Sequence, residues 1–136
     1  MKTKNAILTD IWQIISAGAI GALSGGVYKN TRPTDSELED CVIRSVSGNT
    51  AKFLQNGALY VQIFYKDIFV NNINTEDTAN GQTIEQLLID LSEELLALSA
   101  YSFEIQSRET YTEAVQDVKI LQHYAILKMN FLITYD

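Results

Sequence analysis

Apolar and polar residues alternate with a period of two from Gly57 to Val70, GALYVQIFYKDIFV, which predicts a half-buried β-strand. Successive side chains on a strand point to opposite sides. Leu59, Val61, Ile63 and Tyr65 therefore form one face and Tyr60, Gln62, Phe64 and Lys66 the other. The pattern recurs from His123 to Tyr135, with Ala125, Leu127, Met129, Phe131 and Ile133 on one side and Lys128, Asn130 and Thr134 on the other. Between these runs, Thr83 to Ala100 changes period. Ile84, Leu87, Leu88, Leu91, Leu95 and Leu98 follow the spacing of an amphipathic helix, expected to cover the sheet. Thr83 and Gln86 have the spacing of a capping box, which sets the expected helix start at Thr83.

The remaining segments complete the outline. A first helix is expected from Asn5 to Ala17, burying Leu8, Ile11, Trp12 and Ile15, and stopping at the glycines Gly18, Gly21, Gly25 and Gly26. Val27 to Thr31 reads as a short edge strand, and Arg32 to Asp40 as a polar connection containing the single proline, Pro33. Cys41 to Val46 is a strand with Val42 and Arg44 facing opposite to Ile43 and Ser45, and Gly48 and Asn49 suit a hairpin turn into the next strand. Asn71 to Gln82 reads as a polar loop, Tyr101 to Glu109 as a strand, and Thr110 to Gln116 as a connection. The order α-β-β-β-α-β-β predicts a single α+β domain over 1–136, with a mostly antiparallel sheet of four or five strands packed by two helices.

Composition narrows the function classes. With 46% hydrophobic residues, a chain of 136 residues can bury a core without staples, and its single cysteine, Cys41, starts an apolar run as a small buried hydrophobe. A lone cysteine makes no internal disulfide, so the fold needs no oxidising compartment. A net charge of −7, from 17 acidic and 10 basic residues, argues against broad binding to a nucleic-acid backbone. No apolar run reaches the ~18 residues of a membrane span. Lys2 and Lys4 ahead of Ile11 to Leu23 imitate a signal peptide, but Asp10 and Gln13 interrupt it and the stripe from Ile7 to Ile15 suits a globular helix.

Candidate chemistry is sparse. One histidine and one cysteine give no zinc cluster, and no phosphate loop or dinucleotide fingerprint is present. His123 reads as an ordinary polar residue at a strand start, and Glu37, Glu39 and Asp40 as a solvated loop without calcium-loop spacing. Glu104 with Asp117 and Lys119 forms the acid and acid-x-lysine pattern of metal-dependent nucleases, a rationale that the acidic balance does not favour. Tyr60 and Phe64, with Gln62 and Lys66, make a semi-polar face that is either covered by the first helix or offered to a partner. A small binding or adaptor module using that face is one reading of the chain.

A sharper expectation comes from resemblance. GGVYKNTRP after the first helix, SELEDCVIRSVSG leading into a strand, the strand GALYVQIFYKD, the asparagine-rich loop, the helix TIEQLLIDLSEELLAL and the closing HYAILKMNFLITYD together resemble the phage tail-completion, or tail-terminator (head-tail joining), proteins of prophages, over nearly the whole chain. The resemblance implies a non-enzymatic virion protein without cofactor or metal, assembled in the bacterial host cytoplasm. It further implies a homo-oligomeric ring, often of six subunits, that meets tail-tube and head-connector proteins and binds neither specific DNA sequence nor membrane. An acidic chain suits a conduit that must not hold DNA. On this reading the loop carrying Asn72, Asn74, Glu76 and Asp77, and the region of Arg108 and Tyr111 leading through Glu109 to Gln116, are the parts expected to reach a neighbouring subunit or the tube.

Overall fold

A computed structural model of the chain describes residues 2–51, 54–99, 101–105, 111–114 and 121–134, with the backbone alone at 47–51, 105 and 111–114. Helix α1 spans Lys4–Ala17, a short 3-10 turn follows at Ala19–Ala22, and strands β1 (Val27–Lys29), β2 (Cys41–Ala51) and β3 (Leu54–Lys66) come next. After β4 (Ile68–Val70) and β5 (Ile73–Thr75), helix α2 spans Thr78–Leu96, and β6 (Ser102–Ile105), β7 (Tyr111–Ala114) and β8 (Gln122–Thr134) close the fold. The main sheet has the order β1-β2-β3-β8-β6, with β7 also pairing β8. It is antiparallel except for the β1–β2 pair. The α+β class is as expected from the sequence.

Both helices lie on one face of this sheet, α1 against β1 and β2, α2 against β3, β8 and β6. That face is the one the alternation assigned to the core. Leu59, Val61, Ile63 and Tyr65 are fully buried, and so, nearly, are Ala125, Leu127, Met129, Phe131 and Ile133. Ile7, Leu8, Ile11, Ile15, Ile84, Leu88, Leu91 and Leu95 complete the same cluster. At about 1.5–3 kcal/mol for each fully buried aliphatic side chain, this layer, more than helix propensity, holds α1 and α2. Gly57 lets the two central strands close up. A Cβ there would lie 2.6 Å from Phe131 Cζ and 2.4 Å from the Val46 carbonyl oxygen.

Several expectations change. Helix α2 starts five residues before Thr83 (83 − 78), at Thr78, with Asp77 as N-cap accepting a hydrogen bond from the Asn80 N–H at 3.1 Å. The Thr83 hydroxyl instead donates to the Ala79 carbonyl within the helix, and Gln86 donates to Asp90. Asn80 and Gly81, within the expected loop, belong to the helix, and Gly81 is buried there with no room for a side chain, since a Cβ would meet the Tyr65 hydroxyl at 2.9 Å. Trp12 is 38% exposed, not core. Its indole N–H leaves the apolar layer to donate to the Val27 carbonyl at 2.8 Å, which occupies the outer edge of β1. Gly48 and Asn49 sit inside β2, where the β2–β3 register shifts between Ser47 and Thr50, and not at a hairpin tip. The long strand ends at Lys66, and the supposed loop from Asn71 holds β5. The supposed connection from Thr110 holds β7, while the stretch from 106 to 110 lies outside the described residues.

Candidate interaction surface

Asp67 separates β3 from β4 and turns the chain out of the main sheet. Beyond it, β4 and β5 pair only with each other among the described strands, in the register Ile68↔Thr75, Phe69↔Asn74 and Val70↔Ile73. The turn residues Asn71 and Asn72 have φ of 52° and 62°. Positive φ at both central positions is the geometry of a type I′ turn, and asparagine tolerates it better than most residues. The hairpin is charge-free from Ile68 to Thr75 and unusually greasy for a free arm. Ile68 is 42% exposed, Phe69 72%, Val70 44% and Ile73 66%. Directly paired residues share a face, so Ile68, Val70 and Ile73 line one side and Phe69 with Asn74 the other.

A two-stranded ribbon of this length is marginal by itself, and it is anchored at both ends. On the entering side, Asp67 Oδ1 lies 2.6 Å from His123 Nδ1, and the Asp67 N–H donates to the Leu121 carbonyl at 3.0 Å. The His123 ring stacks on Tyr65. On the leaving side, the Tyr65 hydroxyl donates to Glu76 Oε1 at 2.6 Å, and Asp77 caps α2. Tyr65 touches both tethers, so the arm is fixed to the buried layer through one aromatic ring.

The sequence-predicted residues are dispersed over the fold. Asn72 and Asn74 belong to the projecting hairpin, whereas Glu76 and Asp77 hold its base and the helix start. Tyr60 and Phe64 lie on the sheet face opposite the helices. Neither helix covers them. Tyr60 is half-buried, and Phe64 is covered by the chain's own Arg32, whose guanidinium carbon lies 4.1 Å from the ring centroid. Tyr124 packs on the same ring. Tyr111 is in β7, and Arg108 lies outside the described residues, as do Asp117 and Lys119. Glu104 is exposed on β6, and the described residues contain no group of three side chains able to hold a metal ion. None of the described helices is long and apolar enough to cross a membrane.

Arg32 organises that end of the sheet. Its Nε donates to Asp40 Oδ2 at 2.8 Å, one terminal nitrogen to Gln122 Oε1 at 2.9 Å, and the other to the Ser36 carbonyl at 2.7 Å. Asp40 is fully buried and also accepts from the Gly26 N–H at 3.2 Å. The planar fork of arginine satisfies a carboxylate, an amide and a carbonyl at once, which a lysine could not do. This network serves the polar connection between β1 and β2.

The helix layer has its own feature. Ile14, Ile20, Leu87 and Leu91 surround an open cavity of about 80 Å³ beside Gly18, with Asp90 and Glu94 on its rim. Hydrophobic periodicity points to these residues only as core. Their convergence into a hole needs the packing of α1 against α2, and the arm's exposed residues read as strand interior. No protein-family model and no curated protein matches the chain.

Proposed function

We propose that the protein is a non-enzymatic structural subunit of a phage or prophage virion, completing the tail end and joining it to the head as one member of a ring. The observation that carries the reading is the β4–β5 arm, an uncharged hairpin with Ile68, Phe69, Val70 and Ile73 exposed, tethered at both ends and paired with no other described strand. Exposed apolar side chains gathered on one projecting element mark an interaction site. A chain that carries its contact on such an arm is built for assembly. Arg32, Asp40, the side-chain oxygen of Gln122 and His123 Nδ1 are engaged in contacts within the fold. The net charge of −7 suits a lumen that DNA crosses without sticking.

The test is inactivation of the gene in the genome that encodes it, followed by induction and electron microscopy. Filled heads and separate tails that fail to join are expected, with joining restored by the wild-type gene. Normal numbers of joined, infectious particles would overturn the proposal. An adaptor acting elsewhere would leave particle assembly untouched.

A further inference from the structure

The arm and the cavity between the helices are two apolar features on separate elements of one chain, one projecting and one recessed. We infer that the hairpin of one copy seats on the α1/α2 cavity of the next copy, with Ile73 as the inserted side chain. This rests on the ring reading above and names the surfaces that make the ring. Ile73 is 66% exposed, lies next to the turn, and is flanked across the ribbon by Val70. The cavity, at about 80 Å³, has room for the branched end of one aliphatic side chain, and Ile14, Ile20, Leu87 and Leu91 give it an aliphatic wall.

Charge selects the same occupant. Glu85, Glu93 and the rim residues Asp90 and Glu94 make α2 acidic, so most surfaces of a chain with net charge −7 are repelled there. The segment Ile68–Thr75 carries no charge, and the side-chain amides of Asn71 and Asn72, adjacent to Ile73, supply N–H donors for the rim carboxylates. An apolar knob flanked by amide donors thus matches an apolar hole flanked by carboxylates. Because knob and hole lie on different surfaces, the contact is heterologous. Each copy offers one of each, and the contact repeats until the rotation closes a ring.

Disulfide trapping tests this directly on the full chain. Ile73→Cys sits on the exposed arm, and Gly18→Cys is tolerated because a Cβ there meets only the Ile14 and Ile15 carbonyl oxygens at 3.7 Å. The native Cys41 is buried and stays silent. Asn130→Cys, exposed on the opposite face of the sheet, is the control partner. The two single variants, mixed at high concentration under mild oxidation, should yield a heterodimer several times more abundant than Ile73→Cys with the control. One chain carrying both cysteines should yield covalent closed oligomers. Wild-type association in sedimentation without enrichment of the trapped pair would overturn this contact and leave the ring reading standing. Equally efficient trapping of Ile73→Cys with itself would overturn it in favour of a two-fold arm-to-arm contact. A wild-type chain that stays monomeric at the same concentrations, with no trapped pair, would overturn both.

Discussion

Asp40 is fully buried while Arg32 keeps some solvent contact, so the pair depends on geometry more than on raw attraction. Breaking a buried pair from one side leaves an uncompensated charge, and Arg32→Ala should cost about 3–5 kcal/mol in urea unfolding. Arg32→Lys should recover only part of this, because it cannot reach Asp40, Gln122 and the Ser36 carbonyl together. Equal stability of wild type and Arg32→Ala would mean that the network is incidental. A second residue-scale effect concerns Cys41. Burial, with the neighbouring Asp40 charge, pushes its thiol from 9.0 up to about 12. Above pH 9.0 the unfolded chain loses this proton while the folded chain keeps it until about pH 12, so the unfolded state binds fewer protons and stability falls across that window. Cys41→Ala should flatten the fall in the unfolding midpoint between those pH values, and native Cys41 should resist alkylation at pH 8 until the chain is denatured.

At the scale of elements, the start of α2 separates two caps. Asp77→Ala should cost about 1 kcal/mol, as N-cap losses do, whereas Thr83→Ala, within the helix, should cost little or nothing. A larger loss at Thr83 than at Asp77 in thermal unfolding would contradict the observed start. This element also shows what the sequence could and could not disclose. The buried face of β3, the buried face of β8 and the stripe of α2 follow from period alone, because each is half in core and half in water. The first turns of α2 did not, since Asn80-Gly81 carries the chemistry of a turn and only the Tyr65 ring, distant in sequence, explains a glycine inside a helix. The hairpin was hidden for a related reason. The run stays apolar through Ile68, Phe69 and Val70, which reads as more strand, although the period itself breaks at Asp67: that carboxylate falls in phase with the buried Leu59, Val61, Ile63 and Tyr65, and Ile68 and Val70 in phase with Lys66. Asp67 is held where the chain leaves the sheet through His123, a contact across 56 positions of sequence. The turn was nearer to legible, because adjacent asparagines are among the residues that accept positive φ. Replacing Asn71 and Asn72 together by alanine should loosen the arm while leaving the core intact, seen as faster amide exchange in β4 and β5 alone.

For the whole molecule, the helices cover one face of the sheet, and the polar connection from Arg32 covers part of the other. Trp12 occupies the β1 edge through the Val27 carbonyl. The arm gathers Ile68, Phe69, Val70 and Ile73, all exposed, on one short element, and its lack of charge distinguishes it from the acidic surface of α2. Under the proposal above, this arm drives assembly of identical chains. Native mass spectrometry of the wild-type protein beside Ile73→Asp tests it most directly, because an exposed aspartate leaves the fold intact but places a charge where an apolar contact is needed. One closed oligomer of defined subunit number is expected for the wild type and folded monomers for Ile73→Asp. The same oligomer distribution in both proteins would contradict it.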